Sequence, residues 1–356
     1  MLQVEPRNSV DVLSRRLQTE WPYIAEARSR TAELRTKLAA LASLASEDTS
    51  TIVYGSIGRE EVTESSDVDW TILIDGPTDP NHVHLVAKTS SLLKLLGFKA
   101  PGPTETFAVL VNSHELIHHI AGIHDTNQNL TRRILLLFES IAVTQPLVRD
   151  RVVRNILDRY ITYDVSVPRL EPPKDVIPHF LLNDVVRYWR TMASDYAAKM
   201  WEREKEGWGL RNVKLRFSRK LIFVAGLLAC FSFELDPPPD ANEVRADRAI
   251  LPSRLTTHVL DHLSKPPLDA LAEVLLKFAD DSTSRRLFAS YDRFLGILSE
   301  PTKRSELNEL AIENALQSKV WLDARDASHD FRDALETMFL RCDSRLQELT
   351  LRFGVF

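Results

Sequence analysis

The stretch "TIVYGSIGREEVTESSDVDWTILIDG", Thr51 to Gly76, restricts the fold more than any other part of the chain. Two short apolar runs rich in β-branched residues, "TIVYG" and "DWTILID", are bounded by glycine and polar residues, the pattern of buried strands. The connection carries Gly55-Ser56, and ten residues separate Ser56 from Asp67, the first of two aspartates at the head of the second run. Side chains alternate faces along a strand, so Asp67 and Asp69 are expected to project together. Two carboxylates on one face repel each other unless a cation lies between them, and hard oxygen ligands suit Mg²⁺ or Mn²⁺.

Mg²⁺ keeps several waters and is commonly held by one or two carboxylates together with substrate phosphates. The expected partner is therefore a nucleoside triphosphate, with two ions about 3.5–4 Å apart activating the attacking oxygen and stabilising departing pyrophosphate. Gly55 lets the backbone approach a phosphate closely, and Ser56 adds a hydroxyl beside N–H groups at a helix start. The bland alternative is a turn followed by a solvated strand end. The combined pattern favours the site, with Asp67 and Asp69 as both catalytic and metal-holding residues.

An apolar residue, Gly-Ser, a spacer near ten residues and Asp-apolar-Asp-apolar together resemble the signature of the DNA polymerase β-like nucleotidyltransferase superfamily. The fuller wording "GSIGREEVTESSDVDW" is similar to the form in bacterial signal-transduction nucleotidyltransferases, including the uridylyltransferase of the PII nitrogen sensor. Weaker likenesses in "VNSHELIHHIAG", "DTNQNLTRRILLLFES", "FLLNDVVRYWRTM" and "GLRNVKLRFSRKLIFVAGLL" extend the resemblance over most of residues 50–230. It implies an α+β fold: a small mixed-sheet nucleotidyltransferase domain with flanking helices, followed by a C-terminal helical bundle. It also implies a third carboxylate on a neighbouring strand that orients or deprotonates the acceptor. Glu115, just after "FAVLVNSH", is the first choice, with Glu105 and Asp125 as alternatives.

Arg59 and Glu61 follow the Gly-Ser turn, and two readings stay open: phosphate contact with local helix organisation, or an exposed salt bridge. His114, His118 and His119 have zinc-like spacing, but without a nearby cysteine a structural or substrate-contact role is preferred.

Six of the eleven glycines fall between Gly55 and Gly122, so tight turns concentrate in the mixed α/β part. Helical spacing of apolar residues from Val10 to Leu44 predicts two helices or one bent helix before the first strand. "FAVLVNS" is a third strand candidate, and "HVHLVAKTSSLLKLLGF" predicts a helix stopping at Gly97. From "TRRILLLFESIAV" onward the pattern is predominantly helical. Four prolines in "VPRLEPPKDVIP" predict an extended linker. The expected division is 1–166 for the nucleotidyltransferase domain with N-terminal helices, 167–178 for the linker and 179–356 for the helical bundle.

In the second part, Arg211, Lys214, Arg216, Arg219 and Lys220 crowd "GLRNVKLRFSRKLIF". At about 100° per residue Arg216, Arg219 and Lys220 share one helix face. Lys214, Arg216 and Lys220 are candidate phosphate contacts, against the alternative of a solvated face. Asn183 and Arg187, on a stripe continued by Arg190, are candidate base and phosphate contacts.

With 45 Lys plus Arg against 50 Asp plus Glu, net charge gives no blanket attraction to nucleic acid, so any basic site must be local. No run reaches the roughly 18 apolar residues of a membrane span and no leader pattern is seen, so a cytoplasmic chain without membrane contact is expected. Cys230 and Cys342 are too few for a disulfide framework. The expected activity is metal-dependent transfer of a nucleoside monophosphate to an acceptor hydroxyl of a protein, an RNA or a small molecule. The alternatives are an RNA-modifying or oligonucleotide-making toxin or defence enzyme and a non-catalytic nucleotide sensor.

Overall fold

The computed structural model describes residues 8–44, 46–99, 106–166, 174–202 and 207–354. Packing groups the chain into two compact units, each assembled from separate stretches. One holds the sheet and comprises Arg28–Tyr188 with Ala229–Ser264; the other is helical and comprises Met1–Ala27, Trp189–Leu228 and Lys265–Phe356. Of the proline-rich stretch expected to form the linker, residues 167–173 lie outside the described residues.

Thr49–Val53 (β1), Trp70–Ile74 (β2), Val109–Asn112 (β3) and Ile141–Ala142 (β4) form a four-stranded mixed sheet in the order β3-β2-β1-β4. β1 is antiparallel to β2 and β4, whereas β2 and β3 are parallel. All residues of β1 and β2 are buried. Burial on both faces explains why β2 reads as a near-continuous apolar run, while in β1 the Ser50 hydroxyl donates to the Thr144 carbonyl and the Thr51 N–H to the Thr144 hydroxyl. Trp70, Ile72 and Ile74 pack with Val53, Leu38 and Leu93 in one apolar cluster.

The helix His82–Leu95 ends where its glycine predicts. Gly97 takes φ +82°, its N–H donates to the Lys94 carbonyl at 3.1 Å, and the Phe98 N–H donates to the Leu93 carbonyl at 3.0 Å. This pair of bonds satisfies carbonyls at the helix end, and Phe98 packs onto the core as the hydrophobic partner of the motif. The short β4 is a departure from the helical reading of "TRRILLLFESIAV". The Asn127–Phe138 helix stops before Glu139, and Ile141 and Ala142 then pair with Val53 and Ile52. A two-residue edge strand has no periodicity to recognise, and only its partner defines it.

Behind the sheet, four segments of the same unit converge on Arg133. Its guanidinium donates two bonds to Asp125, at 3.1 and 2.9 Å, one to Asp184 at 2.7 Å and one to the Tyr160 hydroxyl at 2.6 Å. Tyr160 in turn donates to Asp184 at 2.6 Å, and Arg187 reaches Asp125 at 3.2 Å. The Arg133 side chain is fully buried. Burial alone would depress its pKa, yet Tyr160, Asp125 and Asp184 hold it above the ordinary arginine value. Burial pushes the Tyr160 phenol well above its usual range. The Leu251–Leu263 helix joins this unit through Thr256, whose hydroxyl donates to Asp158 on the Pro146–Ser166 helix at 2.7 Å.

The helical unit is centred on aromatic packing. Phe217 stacks on Phe294 with ring centroids 4.4 Å apart and on Phe331 at 5.2 Å. The Asp281–Ser299 and Lys319–Thr337 helices that carry these partners form its densest contact. Asp292 accepts from the N–H groups of Tyr23 and Ile24, each at 2.9 Å, and so caps the start of the Pro22–Leu38 helix from a distant part of the sequence. Burial raises the Asp292 carboxyl against the lowering effect of these two bonds. Among the described residues no helix is long and apolar enough to cross a membrane.

Arg133→Ala would leave Asp125 and Asp184 buried without their principal cation, and is expected to lower the unfolding free energy by about 3–5 kcal/mol in urea denaturation. A loss under about 1 kcal/mol would contradict the role assigned to this cluster.

Candidate functional site

The backbone turns sharply where β1 ends. The Tyr54 N–H donates to the Asp69 carbonyl at 2.9 Å, extending the β1–β2 pairing one step beyond Val53 and Trp70. Gly55 then adopts φ +69° and ψ −135°, a region hospitable almost only to glycine. A Cβ at this position would sit 3.0 Å from Asp69 Oδ2. The Gly-Ser turn is therefore laid directly against the Asp69 carboxylate.

A single helical turn, Ser56–Arg59, follows, with the Arg59 N–H donating to the Gly55 carbonyl at 3.0 Å. A Cβ on Gly58 would overlap the backbone carbonyl of Glu139, so this glycine is required by the close approach of the chain beside β4. Arg59 is buried. Its Nε donates to Glu61 at 2.9 Å and its Nη1 pairs with Glu139, whose side chain is fully buried. The Arg59–Glu61 salt bridge is present, but it is buried rather than exposed, and the guanidinium also ties the turn to the segment before β4 through Glu139. Glu60, at φ +62°, faces outward to Arg35 at 3.0 Å and Arg28 at 3.7 Å.

Asp67 and Asp69 lie in the extended lead-in to β2, which begins at Trp70, and not within the strand itself. The alternation expected of a strand nevertheless holds. Val68 and Trp70 are each 1% exposed, while Asp67 and Asp69 are half-exposed. Ser56 is also half-exposed. Gly55, Ser56, Asp67 and Asp69 are thus brought to one end of the β1–β2 pair. Beneath them Tyr54 is buried, its hydroxyl 2.9 Å from the Thr71 hydroxyl, and burial pushes its pKa up to about 12. Among the described residues, no group of three or more His, Cys, Asp or Glu side chains forms a ready-made metal cluster.

Glu115 is placed elsewhere. β3 runs parallel to β2 with Ile74 opposite Asn112, and Ser113 donates to Asp75 at 2.6 Å. The Ser113–His118 helix carrying Glu115 therefore follows the end of β2 farthest from Asp69. Ile74 lies five residues beyond Asp69, about 16 Å at the usual rise. Adjacency of the two strands alone would bring Glu115 close, but parallel register sends the end of β3 away from the pair. Asp125 is committed to Arg133 and Arg187, and Glu105 lies outside the described residues.

Arg187 turns onto Asp125 and Asp184, Asn183 is exposed, and neither is joined to the Gly55–Asp69 end by a hydrogen bond or ion pair among the described residues. Lys214, Arg216 and Lys220 belong to the helical unit. The turn Leu215–Arg219 is π-helical, so the 100° spacing used to group Arg216, Arg219 and Lys220 does not hold through it. His114 contacts the rings of His118 and His119 at centroid distances of 4.7 and 5.7 Å, and His119 lies 5.7 Å from His124. These imidazoles form a run of ring contacts.

Glu139 and Gly58 are the parts of this site that sequence reasoning did not single out. Gly58 offered a signal, as a second glycine three residues after the first; Glu139 offered none.

The contact between Gly55 and Asp69 has an energetic consequence. Gly55→Ala is expected to cost about 1–3 kcal/mol through its dihedral angles and the encroachment on Asp69. In an Asp69→Ala background the clash disappears while the dihedral strain remains, so a double-mutant cycle by urea denaturation should show coupling of about 0.5–3 kcal/mol. Strict additivity would refute the contact. Comparison of the chain with protein-family models, with curated proteins and with solved structures finds no match.

Proposed function

We propose that the sheet unit is a metal-dependent nucleotidyltransferase that moves a nucleoside monophosphate from a triphosphate to an acceptor hydroxyl. The observation that carries the reading is the alternation of half-exposed Asp67 and Asp69 with buried Val68 and Trp70, with the Gly55 turn packed against Asp69. The donor set fits Mg²⁺ or Mn²⁺: two hard carboxylates reachable from solvent, with no competing soft ligand in the turn or the lead-in. Asp67 and Asp69 would hold the ion, which would supply charge neutralisation and activation of the acceptor oxygen.

The chain's own groups set the rest. Gly55 and Ser56 present backbone and hydroxyl where a triphosphate would lie, with no Cβ on Gly55 to obstruct it. In the reaction the acceptor oxygen forms a bond to the α-phosphorus, the bond from that phosphorus to pyrophosphate breaks, and the acceptor proton passes to a base. Three acids compete for the last role. Glu115 follows the far end of β2 and Asp125 is held in a buried ion cluster, so comparing Glu105→Gln with both is the informative assignment.

Incubation with each labelled triphosphate, Mg²⁺ or Mn²⁺ and a cell lysate identifies the base and acceptor together. Label is expected on a protein, an RNA or a small product. Asp67→Asn is expected to lower transfer at least about 100-fold while changing the unfolding free energy by no more than about 0.5 kcal/mol. Undiminished metal-dependent transfer by Asp67→Asn would exclude the assignment. Metal-independent triphosphate binding without transfer, unchanged by Asp67→Asn, would instead indicate a sensor.

A further inference from the structure

Two half-buried cations of the helical unit, Arg216 and Lys220, form no ion pair with a carboxylate among the described residues. Arg216 is held in place from two sides: its Nε donates to Asn212 at 2.6 Å, its Nη1 donates to Ser328 at 3.2 Å, and its guanidinium lies 5.9 Å from the Trp321 ring centre. Asn212 is itself fixed by donating to the Tyr196 hydroxyl at 2.9 Å. Every one of these partners is uncharged, so the charge of Arg216 is oriented without being offset.

Lys220 is half-buried, and its ammonium makes no hydrogen bond or ion pair with any described residue. Burial lowers the pKa of Lys220, and Arg332 and Arg216 lower it further against the opposing influence of Glu336. Burial likewise lowers Arg216, with Arg332 and Arg325 adding to the effect and Tyr196 opposing it. A half-buried, unpaired cation next to other cations is unfavourable for folding. A multiply charged anion would reverse that cost.

We propose that Arg216 and Lys220, with Arg325 and Arg332 of the Lys319–Thr337 helix, form an anion site within the helical unit for a compact oligophosphate, such as pyrophosphate or the phosphate tail of a nucleotide. Charge-assisted phosphate contacts are about twice as strong as neutral ones, and arginine adds bidentate geometry. The surroundings select for compactness. Arg325 pairs with Asp326 at 3.2 Å, and Arg332 pairs with Asp333 at 2.8 Å and Glu336 at 3.6 Å, so carboxylates border the cations. A long polyanion laid across this face would meet them, which favours a short anion of two or three linked phosphates. The site stands independently of the transfer reaction proposed for Asp67 and Asp69.

Calorimetric titration of the full chain with inorganic pyrophosphate, and separately with ATP, both in chelator without divalent metal, tests it. Wild type is expected to bind both. Lys220→Ala should weaken binding at least about tenfold and Lys220→Arg should largely retain it, the range for one lost bond to a charged group. Equal affinity for the two ligands would mean that the phosphates alone are recognised, and tighter ATP binding would identify a nucleotide tail. The Asp67→Asn/Asp69→Asn double variant should bind like wild type, so failure of the transfer reading leaves this result untouched. Lys220→Met should unfold at an equal or higher temperature than wild type without ligand, whereas a lysine serving only the fold would lower it. No binding by wild type, unchanged binding by Lys220→Ala, loss confined to the aspartate double variant, or tighter binding of a single-stranded RNA oligonucleotide than of pyrophosphate would each overturn the proposal.

Discussion

The close approach of the turn after β1 to its neighbours organises the sheet unit. Gly55 lies against the Asp69 carboxylate, which a Cβ would have to displace slightly, and Gly58 lies against the Glu139 backbone, where a Cβ would overlap the carbonyl. Between them they bring the start of β2 and the start of β4 to the same short turn. The turn is further secured from inside by Arg59, paired with Glu61 and Glu139. Four of the seven residues from Gly55 to Glu61 are thus constrained by structure alone, and two others, Ile57 and Glu60, are tied into the core and to Arg35. Ser56 is the one left half-exposed with its hydroxyl available.

Buried charge in this unit is internal and paired. Arg59 and Arg133 each face two carboxylates, and Tyr160 completes the second cluster by accepting from Arg133 while donating to Asp184. Such clusters contribute less to net stability than apolar packing of equal volume, but removing one member leaves the others unpaired in a low dielectric. They therefore act as constraints on which segments meet. The Asp125 loop, the Asn127–Phe138 helix, the Pro146–Ser166 helix and the His179–Glu202 helix share a single set of hydrogen bonds. Asp67 and Asp69 differ from these groups in being half-exposed, and Arg216 in the helical unit differs in having uncharged hydrogen-bond partners.

Much of the architecture was legible in local pattern. β2 and β3 fall within the expected apolar runs, β1 overlaps its run but begins two residues earlier, at Thr49, the helix before Gly97 ends with the expected glycine geometry, and the later chain is helical. The alternation of Asp67 and Asp69 with Val68 and Trp70 was legible too, because a two-residue period needs only extended backbone, whether or not the segment is paired as a strand. β4 and the π-helical turn Leu215–Arg219 were not, since neither two residues nor one displaced hydrogen bond leaves a recognisable period.

By itself, the sequence determined most of the extended and helical segments, where glycine must occur, and that Asp67 and Asp69 alternate with buried Val68 and Trp70. Only the tertiary structure decided which side chains meet. Glu115 follows the far end of β2 because β3 pairs in parallel, and nothing in "FAVLVNSHE" encodes the direction of a partner strand. Asp125 and Arg187 are drawn into the Arg133 cluster, and Arg59 points inward to Glu139, eighty residues along the chain. Local pattern follows from steric periodicity within a few residues, whereas charge pairing and strand direction depend on contacts between distant segments that form only when the chain closes on itself.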